Sequence, residues 1–329
     1  MRLLKLVPDD TNVDFLRWRG FALIVSGLLL AASIFLISTR GLNYGVDFAG
    51  GQMMRVEFQQ PPQLDRLRGD LNRLDLGDAN VQEFGNDRTI LIRMPLPEGG
   101  EEGANRAAAT VRQAIGQAYP GANFLSVDTV SGKVSEELVR AGALALLLAA
   151  IGISLYIWIR FEWQFGVGAL FSLFHDVTIM LGFFSLTQLE FDLNVIAALL
   201  TLIGYSLNDT IVVYDRIREN LRKYRKMEIG PLLNLSANET LSRTIATNVA
   251  MMLALGALFL LGPNVIYSFT LALFISVIIG TYSTIYVAAP WLVWLKVTSD
   301  SFLPSGGASS AAERIGGKPR NESYDGAKV

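Results

Sequence analysis

The chain has 329 residues, of which 51% are hydrophobic and only 18% charged, and its net charge is −2. Soluble domains carry about a quarter charged residues, so composition alone points to a membrane protein. The near-neutral balance gives no global polybasic signal for nucleic acid, and the absence of cysteine excludes disulfides, thiolate metal sites and cysteine nucleophiles.

Residues 1–20 read as an N-terminal tail with Arg2, Lys5, Arg17 and Arg19. Residues 21–37 form an uncharged first span. It exceeds the ~7–15 residues typical of a signal-peptide core, and no A-x-A site follows it, so it reads as an uncleaved anchor. Residues 38–138 are mixed in polarity and form a domain of their own. Within it, Gln52–Phe58 reads as a strand and Pro62–Leu74 as a helix with leucine at helical spacing. Two strands follow around Asn86-Asp87, a hairpin signal. An alanine-rich helix (Glu101–Tyr119) ends at Pro120-Gly121, and Ala122–Val130 reads as a last strand. The order βαββαβ is that of a ferredoxin-like α+β sandwich.

Five further spans occupy 139–295, at about 141–159, 163–187, 193–214, 244–262 and 266–290. The last two are separated by reasoning from length. Thr244–Leu295 carries no charge, and one helix over that stretch would be about 78 Å long against a core of about 30 Å. Leu261–Asn264 supplies the turn. Residues 296–329, rich in Gly, Ser and charge, read as a disordered tail, and the Asn321 sequon within it is discounted. The predicted architecture is a bundle of six transmembrane helices with one α+β domain outside. The loop after the fourth span holds Arg216, Arg218, Arg222, Lys223, Arg225 and Lys226, whereas the opposite short loops hold no Lys or Arg. By the positive-inside rule both termini are cytoplasmic and the α+β domain is periplasmic.

Several polar residues interrupt the spans. A charge at membrane depth costs at least about 2.5–3.5 kcal/mol, so each needs a reason. Asp176 lies mid-span beside His175, the sole histidine. Successive helical residues point about 100° apart, so these two are expected to face different neighbours. Aligning helices by their predicted ends puts Asp209 and Arg243 at similar depth, where a carboxylate–guanidinium pair would offset both desolvation costs. Asn208 and Tyr205 are placed to add hydrogen bonds to that carboxylate, and Thr247 and Asn248 follow Arg243 by about one turn. The plainer readings are a snorkelling Arg243, a structural helix-to-helix contact at Asp209 and a packing role for His175. Intramembrane ionisable groups are by default read as an ion or proton path, here Asp209, Arg243, Asn208, Asp176, His175 and Thr247. An aspartyl protease sharing a proton between Asp176 and Asp209 is a poor fit, because "SLND" replaces the expected Gly-x-Gly-Asp. A non-catalytic scaffold is a further reading. No cofactor or metal is implied.

"FHDVTIMLGFF…EFDLNVIAALLTLIGYSLNDTIVVYDRIREN", "NETLSRT" (Asn238–Thr244) and "GTYSTIY" (Gly280–Tyr286) resemble the SecF branch of the SecD/SecF protein-export family. "GLNYGVDFAGG" (Gly41–Gly51) resembles the double-glycine signature of the family, with Gly45, Asp47, Gly50 and Gly51 as its candidate residues. The three glycines equally suit a turn feeding a strand. The resemblance covers Leu16 to about Leu295. The sequence departs from the family pattern at Ala49, at Ser131-Gly132, at Glu136 and at Asn248.

The resemblance implies a bacterial inner-membrane protein that is not an enzyme, paired with SecD and associated with the SecYEG channel. It implies use of the proton motive force, with protons as the coupling ion, to promote export and release of an unfolded polypeptide on the periplasmic side. It also ties the residues matching Asp209 and Arg243 to proton flow. The alternative is a proton-coupled lipid or small-molecule exporter subunit of the same resistance-nodulation-division superfamily.

Orientation is checked by single cysteines introduced into this cysteine-free chain. A membrane-impermeant thiol reagent on intact cells should label a cysteine at Gln63 and spare one at Arg225. The reverse pattern overturns the assignment.

Overall fold

The computed structural model describes residues 8, 11–97, 99–263 and 266–297. The tail from 298 onward, part of the N-terminal tail and Asn264 of the predicted turn lie outside the described residues.

Among the described residues, six helices are long and apolar enough to cross a membrane. The first, α1 (Arg19–Arg40), is led by a 3-10 turn at Phe15–Trp18. After a two-residue strand β1 (Asn43–Tyr44) and a one-turn helix α2 (Val46–Ala49) comes the α+β unit. It comprises β2 (Gly51–Glu57), α3 (Leu64–Asn72), β3 (Asn80–Phe84), β4 (Asn86–Met94), α4 (Gly100–Ala118) and β5 (Asn123–Val130). The chain then enters α5 (Gly132–Arg160), α6 (Trp163–Thr187), the short strand β6 (Glu190–Phe191), α7 (Leu193–Lys223) and α8 (Ile229–Leu261). The last crossing is α9 (Tyr267–Ser283), a π-helical turn at Thr284–Ala288, and α10 (Ala289–Trp294).

The strand order β3-β4-β2-β5, all antiparallel, is the ferredoxin-like arrangement. Alternation along β2 explains how the sheet is covered. Met54 and Val56 pack with Ile90, Ile92, Leu67, Leu71, Val111 and Ile115 under α3 and α4. Met53 points the other way, joining Leu91, Phe84 and Val46, with Tyr267 at the start of α9 against them. The second sheet face is therefore closed by α2 and the top of the bundle, and β2 is buried on both sides.

Within the bundle, α6, α7 and the α9–α10 crossing bury about half of their apolar windows, whereas α1, α5 and α8 bury less than a fifth. Close approach is set by small residues, as expected where lipid removes any hydrophobic drive between helices. A methyl group on Gly182 of α6 would run into Ser33 of α1, and one on Gly168 would meet the Tyr214 hydroxyl of α7.

The helices run well past the predicted spans. α8 begins at Ile229 rather than near 244, and α7 continues to Lys223 rather than ending near 214. Charged residues stop a hydropathy window but not a helix whose ends lie in water. Gly50 and Gly51 form the expected turn feeding a strand, β2, while the one-turn helix α2 separates them from Gly45.

Gly50 and Gly51 both have positive φ, 72° and 115°, and a Cβ on Gly51 would lie 2.6 Å from the Met94 carbonyl oxygen. Gly51→Ala should therefore destabilise the α+β unit by about 1–3 kcal/mol. Gly116→Ala, exposed on α4 with open space around it, should stabilise it by up to about 1 kcal/mol. Pulse proteolysis of the full chain in detergent reads both, and equal stabilities would refute the backbone argument.

Candidate functional site

The polar residues of the bundle gather into two adjoining clusters, one on each intramembrane aspartate. Asp176 of α6 is fully buried. Its Oδ2 accepts hydrogen bonds from Ser206 Oγ of α7 at 2.5 Å and from Ser283 Oγ of α9 at 2.8 Å. His175 Nδ1 lies 2.9 Å from Asp176 Oδ1, so these neighbours do meet, contrary to the expectation that they face apart. The 100° rule describes Cβ directions, and the two side chains curl together across it. The His175 ring stacks on Tyr282 at 6.2 Å. Tyr282 in turn donates to the Ala22 carbonyl of α1 at 2.7 Å.

One turn further along α7, Asp209 is buried. Its Oδ2 accepts from Asn248 Nδ2 of α8 at 3.3 Å. Asn248 also donates to Thr281 Oγ1 of α9 at 2.5 Å and accepts from the Tyr205 hydroxyl at 2.6 Å. Thr210 Oγ1 sits 3.0 Å from Thr284 Oγ1, at the first residue of the π-helical turn. The α7 hydroxyl of Tyr214 donates to the Ala288 carbonyl at 3.0 Å, at the end of that turn. π-turns inside α-helices free backbone carbonyls and recur at functional sites. Here the freed stretch is tied to the helix that carries Asp209.

The expected Asp209–Arg243 contact is not made. Arg243 is exposed and has no ion pair among the described residues, although it is within electrostatic reach of Asp209. The buried stripe of α8 runs through Thr240, Thr244, Asn248 and Leu255, which leaves Arg243 to one side. Depths aligned on predicted helix ends misled because α8 starts well before 244. Tyr205 serves Asn248 rather than Asp209, and Asn208 is exposed. Thr247 is also exposed, and its hydroxyl returns to the Arg243 and Thr244 carbonyls of its own helix. Asp176 and Asp209 have separate donor sets and no contact with each other among the described residues, so the geometry of a shared-proton aspartyl dyad is absent there. The partners that sequence reasoning left unassigned are Ser206, Thr210, Thr281, Ser283 and Thr284. Their signal was polar spacing on α9 and α7, which looks like ordinary small-residue packing.

The glycine signature lies at the opposite end of the bundle from the short α7–α8 loop. Its Asp47 Oδ2 accepts from the backbone N–H of Leu193 at 3.1 Å, so it caps α7, as Asp192 does at Val195 N, 3.0 Å away. β1 pairs in parallel with β6, Asn43 with Glu190 and Tyr44 with Phe191. A Cβ on Gly45 would lie 2.8 Å from Glu190 Oε1, which is why glycine serves there. Arg93 of β4 completes the junction. It donates to Asn43 Oδ1 at 2.9 Å and the Tyr44 carbonyl at 2.8 Å, and lies 3.5 Å from Glu190 Oε1.

Comparisons with known proteins place these features in a family. "Protein export membrane protein SecD/SecF, C-terminal" matches residues 110–298, and "SecD/SecF GG Motif" matches residues 35–62. The chain is similar to proteins named protein translocase subunit SecF. Identity is 43% with that of Rickettsia akari, over 88% of this chain and 94% of the relative. It is 43% with that of Pseudomonas aeruginosa, over 89% and 94%. With that of Vibrio alginolyticus it is 40%, over 92% and 96%. Among solved structures, SecDF of Thermus thermophilus, a translocon-associated membrane protein, superposes with a TM-score of 0.81 at 33% identity, covering 88% of this chain. SecDF in its super-membrane-facing form gives a TM-score of 0.65 at 32% identity, covering 93% of this chain. The chain spans about 40% of the length of either SecDF chain.

The junction carries a pH dependence. Burial raises the carboxyls of Glu190 and Asp192 above their ordinary range, more than Arg93, Asn194 and the Val195 N–H lower them. Burial likewise lowers Arg93, so for the Arg93–Glu190 pair desolvation outweighs attraction on both partners. A carboxyl raised in the folded state gives stability that is full below its unfolded value near 4 and is lost as pH rises through the folded value. The thermal stability of the docked α+β unit should therefore fall as pH rises above about 4. Glu190→Gln should flatten that slope, and an unchanged slope in the variant would assign the effect elsewhere.

Proposed function

The chain belongs to the SecD/SecF family of protein-export membrane proteins, and from that premise we propose that it is the SecF-type accessory subunit of a bacterial Sec translocase. In this reading it works in the inner membrane with a SecD partner beside the SecYEG channel. Both termini are cytoplasmic and the α+β domain is periplasmic. It breaks no bond. It couples inward proton movement to the emergence and release of the exported polypeptide.

The observation that supports this reading most is the state of Asp209. It is a buried carboxylate in a membrane helix, and its hydrogen-bond donor among the described residues is the neutral amide of Asn248. A carboxylate fixed in a full ion pair would be locked in its charged form. One held by a single long amide contact, with a guanidinium in electrostatic but not bonding range, is free to change protonation when a helix shifts. In the proposed cycle Asp209 alternates between a neutral state facing Asn248 and a charged state facing Arg243. The Thr210–Thr284 and Tyr214–Ala288 contacts carry the resulting displacement of α7 into the last crossing helix. At the other end, the Asp47 cap carries it into the α+β domain. His175 and Asp176 adjoin this route through Ser206.

Asp209→Asn preserves size and much of the hydrogen bonding but cannot titrate. At matched protein levels it should leave assembly intact and abolish the gradient-dependent increment of export in membrane vesicles. Asp209→Glu should retain part of that increment with a shifted pH optimum. Full gradient dependence in Asp209→Asn would make the aspartate a packing residue.

A further inference from the structure

At the end of the bundle that carries the α7–α8 loop, the structure holds a second charged site that the proton route does not use. A surface pocket of about 410 Å³ is lined by Arg160, Asp215, Arg218, Glu219, Arg222 and Lys223. Four cations face two anions there, and the anions are already engaged. Asp215 takes Arg160 at 2.8 Å through one oxygen and 3.1 Å through the other, and Glu219 takes Arg216 at 2.6 Å. Arg218 is fixed by Glu162 at 2.9 Å and by the Arg160 carbonyl at 3.2 Å. Arg222 and Lys223 are exposed, and neither has a carboxylate at ion-pair distance among the described residues. The pocket is thus a held guanidinium pair with two cations beside it that lack a carboxylate partner, Arg222 and Lys223, the latter resting over the Tyr224 ring at 4.9 Å.

Its level in the bundle narrows the ligand. Arg160 ends α5, and Asp215 directly follows the last apolar residues of α7. The pocket therefore starts where the apolar part of these helices stops. The residues flanking Arg160 on its apolar side are the most exposed large hydrophobic residues of α5. Trp158 is 76% and Ile159 78% exposed, and Trp163, which opens α6, is 58% exposed. Exposed tryptophans beside a basic pocket make a boundary that is apolar below and cationic above, the arrangement a phospholipid headgroup and its acyl chains require.

We propose that this pocket binds the phosphate of an anionic glycerophospholipid, with Arg222 and Lys223 supplying charge that no carboxylate neutralises, Arg160 and Arg218 a fixed rim, and Trp158, Ile159 and Trp163 the acyl-chain wall. The site joins the ends of α5, α6 and α7. A bound lipid would brace the far end of the helix that carries Asp209, without depending on how Asp209 titrates.

The full chain is reconstituted in vesicles of phosphatidylcholine with a minor share of phosphatidylglycerol, extracted in mild detergent, and its retained lipids are measured by native mass spectrometry. Wild type should retain phosphatidylglycerol in preference to phosphatidylcholine, and added salt should weaken that preference. Each surface cation contributes about fivefold to binding an anionic headgroup, so Arg222→Gln with Lys223→Gln should reduce retention about twenty-five-fold. Removing the same charge at Arg17 and Arg19, exposed at the same end of the bundle, should leave retention unchanged. Four results would overturn the proposal: equal retention of both lipids, retention indifferent to salt, equal loss in the Arg17/Arg19 variant, and displacement by millimolar inorganic phosphate. The last would mark a free-phosphate site. If the double variant loses helix content, wild-type salt dependence and phosphate displacement still decide.

Discussion

The structure turns on one constraint: a polar side chain in the middle of a membrane bundle must find its partners on neighbouring helices, because no solvent is there to provide them. Asp176 draws Ser206 of α7 and Ser283 of α9 onto one oxygen. Asp209, through Asn248, draws α8 and α9 to the same side of α7. These contacts select which helices are central. α6, α7 and α9 carry or satisfy Asp176 and are the most buried, while α1, α5 and α8 are peripheral and largely exposed. The glycines follow from this geometry. Close approach of α6 to α1 and of α7 to α9 is possible because Gly182 meets Ser33 and Gly280 meets Ser206 without a side chain between them.

The same economy governs the junction between membrane and sheet. A ferredoxin-like unit covers only one face of its sheet with its own helices. Here the other face rests on α2 and Tyr267, and the cationic Arg55 on that face lies over the Phe84 ring at 5.1 Å. Burying Arg93, Glu190 and Asp192 there costs stability that a hydrophobic contact would not. What those charges supply is direction. Asp47 and Asp192 end on backbone N–H groups of the first turn of α7, so the α+β unit is fastened to the N-terminus of one particular helix. A displacement of α7 along its axis cannot leave the junction unchanged.

Much of this was legible in the sequence, and the exceptions have physical causes. Period-two and period-3.6 patterns identified the βαββαβ unit, because its strands and helices each bury one definite face. Uncharged runs located six spans. They could not show that α7 and α8 continue past their charged ends, since hydropathy measures solvent preference and not helicity. That error carried into the site: with α8 begun at 244, Arg243 lay level with Asp209, whereas the buried stripe of the longer helix puts Asn248 there. Asp47 was visible only as part of a motif. Its role as a cap on α7 joins residues far apart in the chain, which no local pattern encodes. The serines and threonines of α9 escaped for the opposite reason, being indistinguishable in sequence from the small residues that any close helix pair requires.

The two aspartates differ in a way that bears on what each can do. Asp176 has two hydroxyl donors on one oxygen and an imidazole on the other, all on helices that also pack tightly through glycine and serine. Moving any of these helices would leave a fully buried carboxyl short of partners, so Asp176 resists displacement and fixes the relative positions of α6, α7 and α9. Among the described residues Asp209 has a single donor, the Asn248 amide on α8, a helix that is mostly exposed, and that amide is shared with Thr281 and Tyr205. Loss of its contact costs little more than one hydrogen bond, about 0.5–1.5 kcal/mol, and Asn248 keeps its other partners when it happens. A bundle built this way has a rigid polar centre and, one turn away, a carboxylate whose surroundings can change without dismantling the packing. That is the division the proposed proton coupling would need: one buried acid holding the helices in register, and another free to answer a shift between them.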